Sequence, residues 1–248
     1  MITEVGGEWL ETTEYGSLVS RLYIDPPRSA EVIVNAMTHR KGYTDIGFLH
    51  LLCTTPDMPT LFVRKNDMYA LDRFLADHRD ELWMEIPPWD AGEEFDRSLK
   101  TALLLADWAD EVGGEDVICE RYGVGPGDVY GMVESVAWLV HASRHLAGLF
   151  SPAPRGPPIE EMELRTKHGI KKELLPLIKL RGIGRVRARR LFNNGIGSIE
   201  ALREAGSEKV GKILGQGGIA AQIFDQLEGR REEIAESGEE QSTLSRFR

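Results

Sequence analysis

The chain has 248 residues, 42% of them hydrophobic and 28% charged, an ordinary composition for one or two globular domains with substantial cores. No apolar run approaches the ~20 residues of a membrane-spanning helix and no signal-peptide pattern is present, so we expect neither a membrane protein nor a secreted one. Two distant cysteines, Cys53 and Cys119, exclude a disulfide framework or a zinc knuckle, and we predict a cytoplasmic location.

The order of apolar residues, prolines and glycines predicts helices along nearly the whole chain. Residues 1–17 are expected to be the end of another element, such as a strand pair around Gly6 and Gly7. Ser29 and Thr44 are predicted to cap two early helices, and the prolines between 152 and 158 mark a domain boundary. Helices are predicted at about 30–40, 46–53, 66–84, 93–112, 115–121 and 128–150, then at 159–168, 172–180, 185–193, 198–204, 207–214 and 217–234. The predicted fold class is mainly α.

Charge is unevenly distributed along the chain. Residues 1–160 carry 13 basic and 27 acidic side chains, whereas residues 161–248 carry 17 basic and 13 acidic ones. Between 165 and 190, ten lysines and arginines accompany a single acid, Glu173, so that span has a net charge of +9 in a chain whose total is −10. Such a local excess attracts phosphate, and the asymmetry predicts two functional units.

The span 180–191 has the pattern of a helix-hairpin-helix, which holds nucleic-acid phosphates without reading their sequence. An apolar helix end runs into Gly182-Ile183-Gly184, where backbone N–H groups at a helix N-terminus can bind an anionic oxygen and no Cβ blocks its approach. The predicted phosphate-binding residues are Lys179, Arg181, Gly182, Gly184, Arg185, Arg187, Arg189 and Arg190. The alternative is a tight turn between two helices with a solvated basic face.

The predicted helix 128–150 carries a large aromatic residue on its polar side. On a helical wheel, the buried stripe consists of Val129, Val133, Val136, Val140 and Ala147. Trp138 lies opposite this stripe, in line with Gly131, Glu134, Ser135, His141, Ala142 and His145. Stacking on an unpaired base would account for a tryptophan in this position, whereas burial under a neighbouring domain is the alternative.

Other chemistry is not indicated by the sequence. His141 and His145 have the i, i+4 spacing of helical metal ligands, but no cysteine or acidic cluster completes a site, so no metal is predicted. Gly211-Lys212 lacks the spacing and the following Ser or Thr of a nucleotide-binding phosphate loop, and no nucleophile elbow is present. We therefore predict no catalytic residue in this chain.

The last residues have part of a partner-binding pattern. Gln241, Leu244 and Phe247 have the spacing of the peptide by which repair proteins dock on the sliding clamp, although Arg248 stands where that motif has a second aromatic residue. We predict that residues 235–248 form a flexible tail. Two interpretations of the tail are open: contact with a replication partner, either the clamp or a single-strand-binding protein, and an ordinary frayed terminus.

Five segments are informative when they are taken together and in order. They are 18–30 (LVSRLYIDPPRSA), 47–58 (GFLHLLCTTPDM), 101–111 (TALLLADWADE), 123–139 (GVGPGDVYGMVESVAWL) and 174–202 (LLPLIKLRGIGRVRARRLFNNGIGSIEAL). The chain that they define resembles the C-terminal part of archaeal fork-repair DNA helicases of superfamily two, in the branch related to the helicase of polymerase theta.

This resemblance implies an architecture: a winged-helix remnant at 1–17, a helical ratchet domain at 18–156 and a helix-hairpin-helix domain at 159–234. The motor domains that bind ATP and Mg would precede residue 1, so no cofactor is expected within the chain. A fragment of this kind is expected to be a monomer.

The resemblance also implies roles for individual residues. Trp138 matches the family's base-stacking tryptophan, and Arg185, Arg187 and Arg189 match its basic run. His145 is a second candidate contact for the strand. Gly131 departs from the pattern, because some relatives carry there an arginine that touches the strand.

We therefore expect the chain to bind single-stranded and forked DNA as a portion of an ATP-dependent DNA helicase that acts at stalled or branched forks. Two alternatives stay open. One is a stand-alone helix-hairpin-helix adaptor without motor activity, which recruits repair proteins through its tail. The other is a protein-interaction scaffold whose basic face has no nucleic-acid ligand.

Overall fold

A computed structural model describes residues 2–5, 9–39, 42–88, 92–150, 156–215 and 217–229. The chain begins with an antiparallel strand pair, as predicted: β1 (Ile2–Val5) pairs with β2 (Trp9–Thr12), with Ile2 opposite Thr12. The predictions for the tail 235–248, including Gln241, Leu244 and Phe247, concern residues outside the described ranges.

Helices make up nearly all of the rest, which confirms the mainly α fold class. The helices of the first part are α1 (Glu14–Leu22), α2 (Glu31–His39), α3 (Asp45–Cys53), α4 (Lys65–His78), α5 (Glu93–Ala109), α6 (Glu115–Tyr122), α7 (Pro126–Phe150) and α8 (Gly156–His168). A π-helical turn, Pro26–Ala30, leads into α2, and short 3-10 turns lie at Arg79–Glu81 and Lys172–Leu174. The last helices are α9 (Leu175–Ile178), α10 (Arg185–Asn193), α11 (Ile199–Leu214) and α12 (217–229).

Local capping explains where the early helices begin. Thr44 caps α3 as predicted, because its hydroxyl accepts a hydrogen bond from the Gly47 backbone N–H at 3.3 Å. The prediction for Ser29 is wrong, since that residue is buried inside the helical segment. Asp25 begins the segment instead: its carboxylate accepts from the Arg28 backbone N–H at 2.8 Å.

The first compact unit is Met1–Ile170, and α7 runs through its core. Helices α1, α2, α3, α6 and α8 pack against α7. The predicted stripe of valines and Ala147 is buried, but so are residues between its members: the buried residues of α7 are Val129, Met132, Val133, Val136, Leu139, Val140, Ala142, Ser143, Leu146 and Ala147. Burial of Ala142 shows that the polar side of α7 is narrower than the wheel predicted.

The boundary between units lies later than the prolines predicted. The second unit is Lys171–Arg248, so α8 belongs to the first unit and not to a domain that starts at 159. Ile159 and Met162 are the reason, because both are buried in the apolar core of the first unit. Pro157 and Pro158 lie within α8, which packs against α7, so these two prolines do not mark a domain limit.

Polar contacts also tie α8 to the first unit. The indole Nε1 of Trp108, on α5, donates to the Thr166 carbonyl at 2.8 Å. The Arg165 guanidinium, whose side chain is only 10% exposed, pairs with Asp45 at the start of α3 and with Asp110 at the end of α5. These bonds link α8 to α3 and α5.

The second unit has its own small core. Its buried residues are Leu174, Leu177, Leu180, Ile183, Ala188, Leu191, Ile196, Leu202, Val210, Leu214, Ala220, Ile223 and Leu227. The helical stretch Ile199–Leu214 is interrupted at Gly206, which has φ 76° and ψ 156°. The two predicted helices at 198–204 and 207–214 therefore meet at a kink that glycine permits.

A buried histidine joins α3 to α5. Ser98 Oγ donates to the Phe95 carbonyl at 2.8 Å, so the His50 Nε2 that lies 3.0 Å from this oxygen must be the protonated ring nitrogen. His50 is 0% exposed and its Nδ1 has no hydrogen-bond partner. Burial of the ring, partly offset by the Phe95 backbone, lowers the pKa of His50 to about 4. The histidine is therefore neutral in the folded protein at neutral pH.

The depressed pKa of His50 makes stability depend on pH. The unfolded chain binds the proton near the ordinary pKa of 6.5 and the folded chain only near 4, so the free energy of unfolding should fall as the pH drops through that window, by up to ~3 kcal/mol. Urea unfolding of the wild type and His50→Gln between pH 7.5 and 4 measures this difference. His78→Gln, at a half-exposed histidine, is the matched control. An identical pH dependence in wild type and His50→Gln would contradict the assignment.

Candidate nucleic-acid interface

Two candidate surfaces lie in different units, and each is described by itself. The hairpin surface, defined as residues 179–190, belongs to the second unit. The Trp138 surface, defined as Trp138, His141, Arg144 and His145, lies on α7 in the first unit. No residue of either surface falls outside the described ranges.

The hairpin turn is held by two apolar residues. Leu180 and Ile183 are 1% and 4% exposed, and the Ile183 backbone N–H donates to the Leu180 carbonyl at 3.2 Å. Gly182 has φ +87°, a left-handed conformation that a residue with a Cβ adopts only at a cost. With Ile183 facing the core, Gly182 and Gly184 are left exposed on either side of it.

A glutamine on α12 holds the hairpin backbone from outside. The Gln226 side chain accepts from the Arg181 backbone N–H through Oε1 at 2.9 Å and donates to the Arg181 carbonyl through Nε2 at 3.1 Å. The amide thus pairs with both polar groups of one residue, as a neighbouring β-strand would. Sequence reasoning missed Gln226, because nothing in its local pattern connects it with a turn 45 residues earlier.

The hairpin leads directly into the N-terminus of α10. Gly184 occupies the N-cap position and no side chain caps the helix there. The N-terminal N–H groups of a helix have no intrahelical partner and carry partial positive charge, so this end of α10 suits an anion. Val186, in the first turn, is 69% exposed, which leaves an apolar side chain beside the exposed glycines.

The arginines of α10 have different neighbours. Arg187 Nη1 donates to the Gly182 carbonyl at 2.7 Å and so braces the turn. Arg189 pairs with Glu173 at 3.0 Å and lies over the Phe192 ring at 5.3 Å from its centroid. Arg190 Nη1 donates to the Leu214 carbonyl at 3.2 Å, at the C-terminal end of α11.

The eight predicted phosphate-binding residues therefore share a region but not an environment. The exposed ones are Lys179, Arg181, Gly182, Gly184 and Arg190, and the half-buried ones are Arg185, Arg187 and Arg189. Arg187 contacts the turn through its bond to Gly182, whereas Arg190 contacts the end of α11. The phosphate role of all eight stays a prediction.

Trp138 is half-buried, which corrects the expectation of an exposed ring. Its side chain packs against the core, and its Nε1 donates to the Leu22 carbonyl, at the end of α1, at 3.0 Å. The wheel was right that Trp138 faces away from the valine stripe, but it could not show that α1 covers part of the indole. A base can stack only on the part of the indole that α1 leaves open.

Acids on α8 partly neutralise the cations of the Trp138 surface. Glu163 accepts from His141 Nδ1 at 2.8 Å and lies 3.1 Å from Arg144 Nε. Arg144 also lies 3.6 Å from Glu160. The arrangement fixes His141 and Arg144 on the side of α7 that faces α8.

His145 is exposed and lies beside these groups. Its ring packs edge-on against that of His141, with 4.6 Å between the ring centroids. Desolvation, followed by the nearby charges of His141 and Arg144, lowers the pKa of His145. A neutral imidazole is therefore favoured at neutral pH, which suits contact with a base better than an ion pair with phosphate.

No group of three or more His, Cys, Asp or Glu side chains in the described ranges could hold a metal ion. Within the same ranges, no helix combines the length and the apolar character that crossing a bilayer requires.

Comparison with known families bears on both surfaces. Residues 46–169, which include the Trp138 surface, match the family model for archaeal helicase, domain 4. The chain belongs to this archaeal helicase family. Residues 174–227, which include the whole hairpin surface, match the model for a SAM-like helix-hairpin-helix tandem. The first match ends next to the unit boundary at Ile170 and thus agrees with the placement of α8.

Two individual relatives are also helicases by name. The helicase-family chain is 35% identical over 253 residues to the ATP-dependent DNA helicase Hel308 of Methanocella arvoryzae, an alignment that covers 99% of this chain and 34% of the relative. It is 34% identical over 214 residues to Hel308 of Pyrococcus horikoshii, with 86% of this chain and 29% of the relative covered. The chain thus spans about a third of the length of these relatives.

Proposed function

We propose that the chain is the single-stranded DNA-binding C-terminal portion of an ATP-dependent DNA helicase that acts at stalled or branched replication forks. The observation that carries this proposal is the exposed glycine hairpin at the uncapped N-terminus of α10, in a chain of the archaeal helicase family. The names of its Hel308 relatives supply the reaction, and ATP and Mg would bind in other domains of such an enzyme.

The hairpin surface would hold the strand by its phosphates. Oxygen atoms approach Gly182 and Gly184 without meeting a Cβ, and the helix end and the surrounding cations supply the attraction. Gln226 and Arg187 keep the turn in one conformation, so little ordering is needed when the strand binds. Such contacts carry no sequence information, as a helicase that must move along any DNA requires.

The Trp138 surface would contact the bases. One edge of the indole is fixed by Leu22, so the ring is already oriented before a base stacks on it. His145 would add a second, neutral contact on the same side of α7. Stacking tolerates every base, which again fits movement along DNA.

The remaining expectations from the sequence belong to the same proposal. A monomer, a cytoplasmic location, and a clamp or single-strand-binding protein at Gln241, Leu244 and Phe247 fit a helicase of this kind. No observation favours the adaptor or the scaffold over the helicase portion, since the relatives are helicases by name along nearly the whole of this chain.

Trp138→Ala should weaken binding to an oligothymidylate by ~1–3 kcal/mol, because one stacked base is lost, while the slope of binding against salt stays unchanged. Trp138→Phe keeps a ring but not the indole N–H, so it should retain most of the affinity. Fluorescence anisotropy at several salt concentrations measures both. If Trp138→Ala binds with wild-type affinity, Trp138 serves packing alone. If both variants lose affinity equally, the loss comes from the missing hydrogen bond to Leu22 and not from stacking.

Arg187→Gln should reduce the slope of log affinity against log salt by about 0.7 to 1, because one cation no longer displaces counterions from the strand. Glu173→Gln should make the same slope steeper, since it removes the acid that pairs with Arg189. The same salt titration on both variants measures the two changes. Slopes that do not move, or that move in the same direction, would contradict phosphate binding at the hairpin surface.

Gly131→Arg should tighten binding to single-stranded DNA and steepen the salt slope by about 0.7, because it adds a cation two turns before Trp138 on the same side of α7. A Cβ at Gly131 meets no atom within 4 Å, so the side chain has room. Gly42→Arg is the matched control, since that exposed glycine is equally open but precedes α3 and is not part of α7. Equal gains in affinity in both variants would show that added positive charge alone, and not its position beside Trp138, tightens binding.

A further inference from the structure

Tyr23 stands out among the exposed apolar side chains. It follows the last residue of α1 and its side chain is 86% exposed, more than any other large apolar side chain in the described ranges. An isolated exposed apolar residue is ordinary on a protein surface. Tyr23 is unusual because exposure coincides with a second unfavourable feature.

The second feature is the backbone of Tyr23. It has φ 56° and ψ 30°, the left-handed conformation that ends many helices and that is usually occupied by glycine or asparagine. Only one other non-glycine residue in the described ranges, Glu111, has a positive φ. Glycine would remove both the backbone strain and the exposed ring, so neither folding nor solubility explains a tyrosine here.

Position connects Tyr23 with the Trp138 surface. The carbonyl that accepts the Trp138 indole N–H belongs to Leu22, which is bonded directly to the Tyr23 nitrogen. The Tyr23 N–H in turn donates to the Ser20 carbonyl at 3.3 Å, which holds the turn at the end of α1. The Cα of Tyr23 therefore lies one peptide unit from the carbonyl that binds the indole, and its side chain is exposed to solvent.

An exposed cation, Arg21, lies near the same place. It lies close enough to His145 to help lower the pKa of that histidine, after the larger effects of desolvation, His141 and Arg144. Cations next to exposed aromatic rings are the combination with which single-strand-binding surfaces hold a phosphate backbone and its bases. A purely apolar partner would be poorly matched to these charges.

We propose that Tyr23 is a second base-stacking side chain, which forms with Trp138 one aromatic surface for bases of the same strand, with Arg21 beside it for the phosphates. This inference rests on the proposed function. The bond between Trp138 and Leu22 holds the indole next to the residue that precedes Tyr23. The end of α1 is thus part of the DNA-binding surface.

Tyr23→Gly tests the proposal, because glycine suits the left-handed backbone and should not lower the melting temperature. The 248-residue variant should bind an oligothymidylate about 5- to 150-fold more weakly than the wild type, the range expected for one stacked base. On a strand of equal length with abasic sites in place of the thymidines, wild type and Tyr23→Gly should bind equally. Tyr23→Phe keeps the ring and should bind both strands like the wild type.

Tyr69→Ala is the matched control, since Tyr69 is 77% exposed on α4, which packs on α5. It should leave binding unchanged. Wild-type affinity of Tyr23→Gly for oligothymidylate would overturn the proposal, as would an equal loss on the abasic strand or in Tyr69→Ala. If Trp138→Ala weakens binding and Tyr23→Gly does not, the inference about Tyr23 fails alone. If neither changes binding, base contact by the whole Trp138 surface fails.

Discussion

The packing around α7 is the constraint on which the first unit depends. Helices on several sides bury ten of its 25 residues, so α7 cannot rotate without exposing part of the core. Gly131, Trp138 and His145 are among the residues of α7 that remain accessible. Their side chains are therefore positioned by the core and not by a loop, which suits the proposed contact with successive bases. The bond from Trp138 to Leu22 extends this rigid support to the end of α1.

Periodicity predicted much of this structure because it reports which side of a helix is buried. The strand pair, the long helix, the valine stripe and the kink near Gly206 could all be read from the order of residues. What it could not report are contacts between distant parts of the chain. Trp138 and Leu22 are 116 positions apart, so the wheel placed the indole on the open side without showing that α1 covers part of it. The same limit explains the displaced boundary, because a run of prolines marks the end of a helix but not whether the next helix packs back on the same core.

The hairpin surface shows why a count of cations overstates the charge that a ligand meets. The span with net charge +9 includes arginines that already serve the fold. Arg190 satisfies a carbonyl at the end of α11, Arg189 pairs with Glu173, and Arg187 braces Gly182. Hydrogen bonds to backbone carbonyls leave the positive charge in place, whereas the pair with Glu173 cancels it. The residues that give structure to the turn can thus also attract phosphate, provided that their partners are neutral.

Under the proposed function, binding at the two surfaces should depend on salt in different ways, because the charges around them differ. Residues 1–160 have a net charge of −14, so a strand that approaches the Trp138 surface is repelled by the unit that carries it. The attraction proposed there comes mainly from stacking, which does not depend on counterion release, with Arg21 as a nearby cation. At the hairpin surface, attraction comes from displaced counterions and weakens as salt rises. Since salt also screens the repulsion at the first unit, a rise in ionic strength weakens one contact and relieves the other. A chain that made both of the proposed contacts would keep its stacking on the bases while its attraction to the phosphates weakens, a condition that would favour movement along a strand over a fixed position on it.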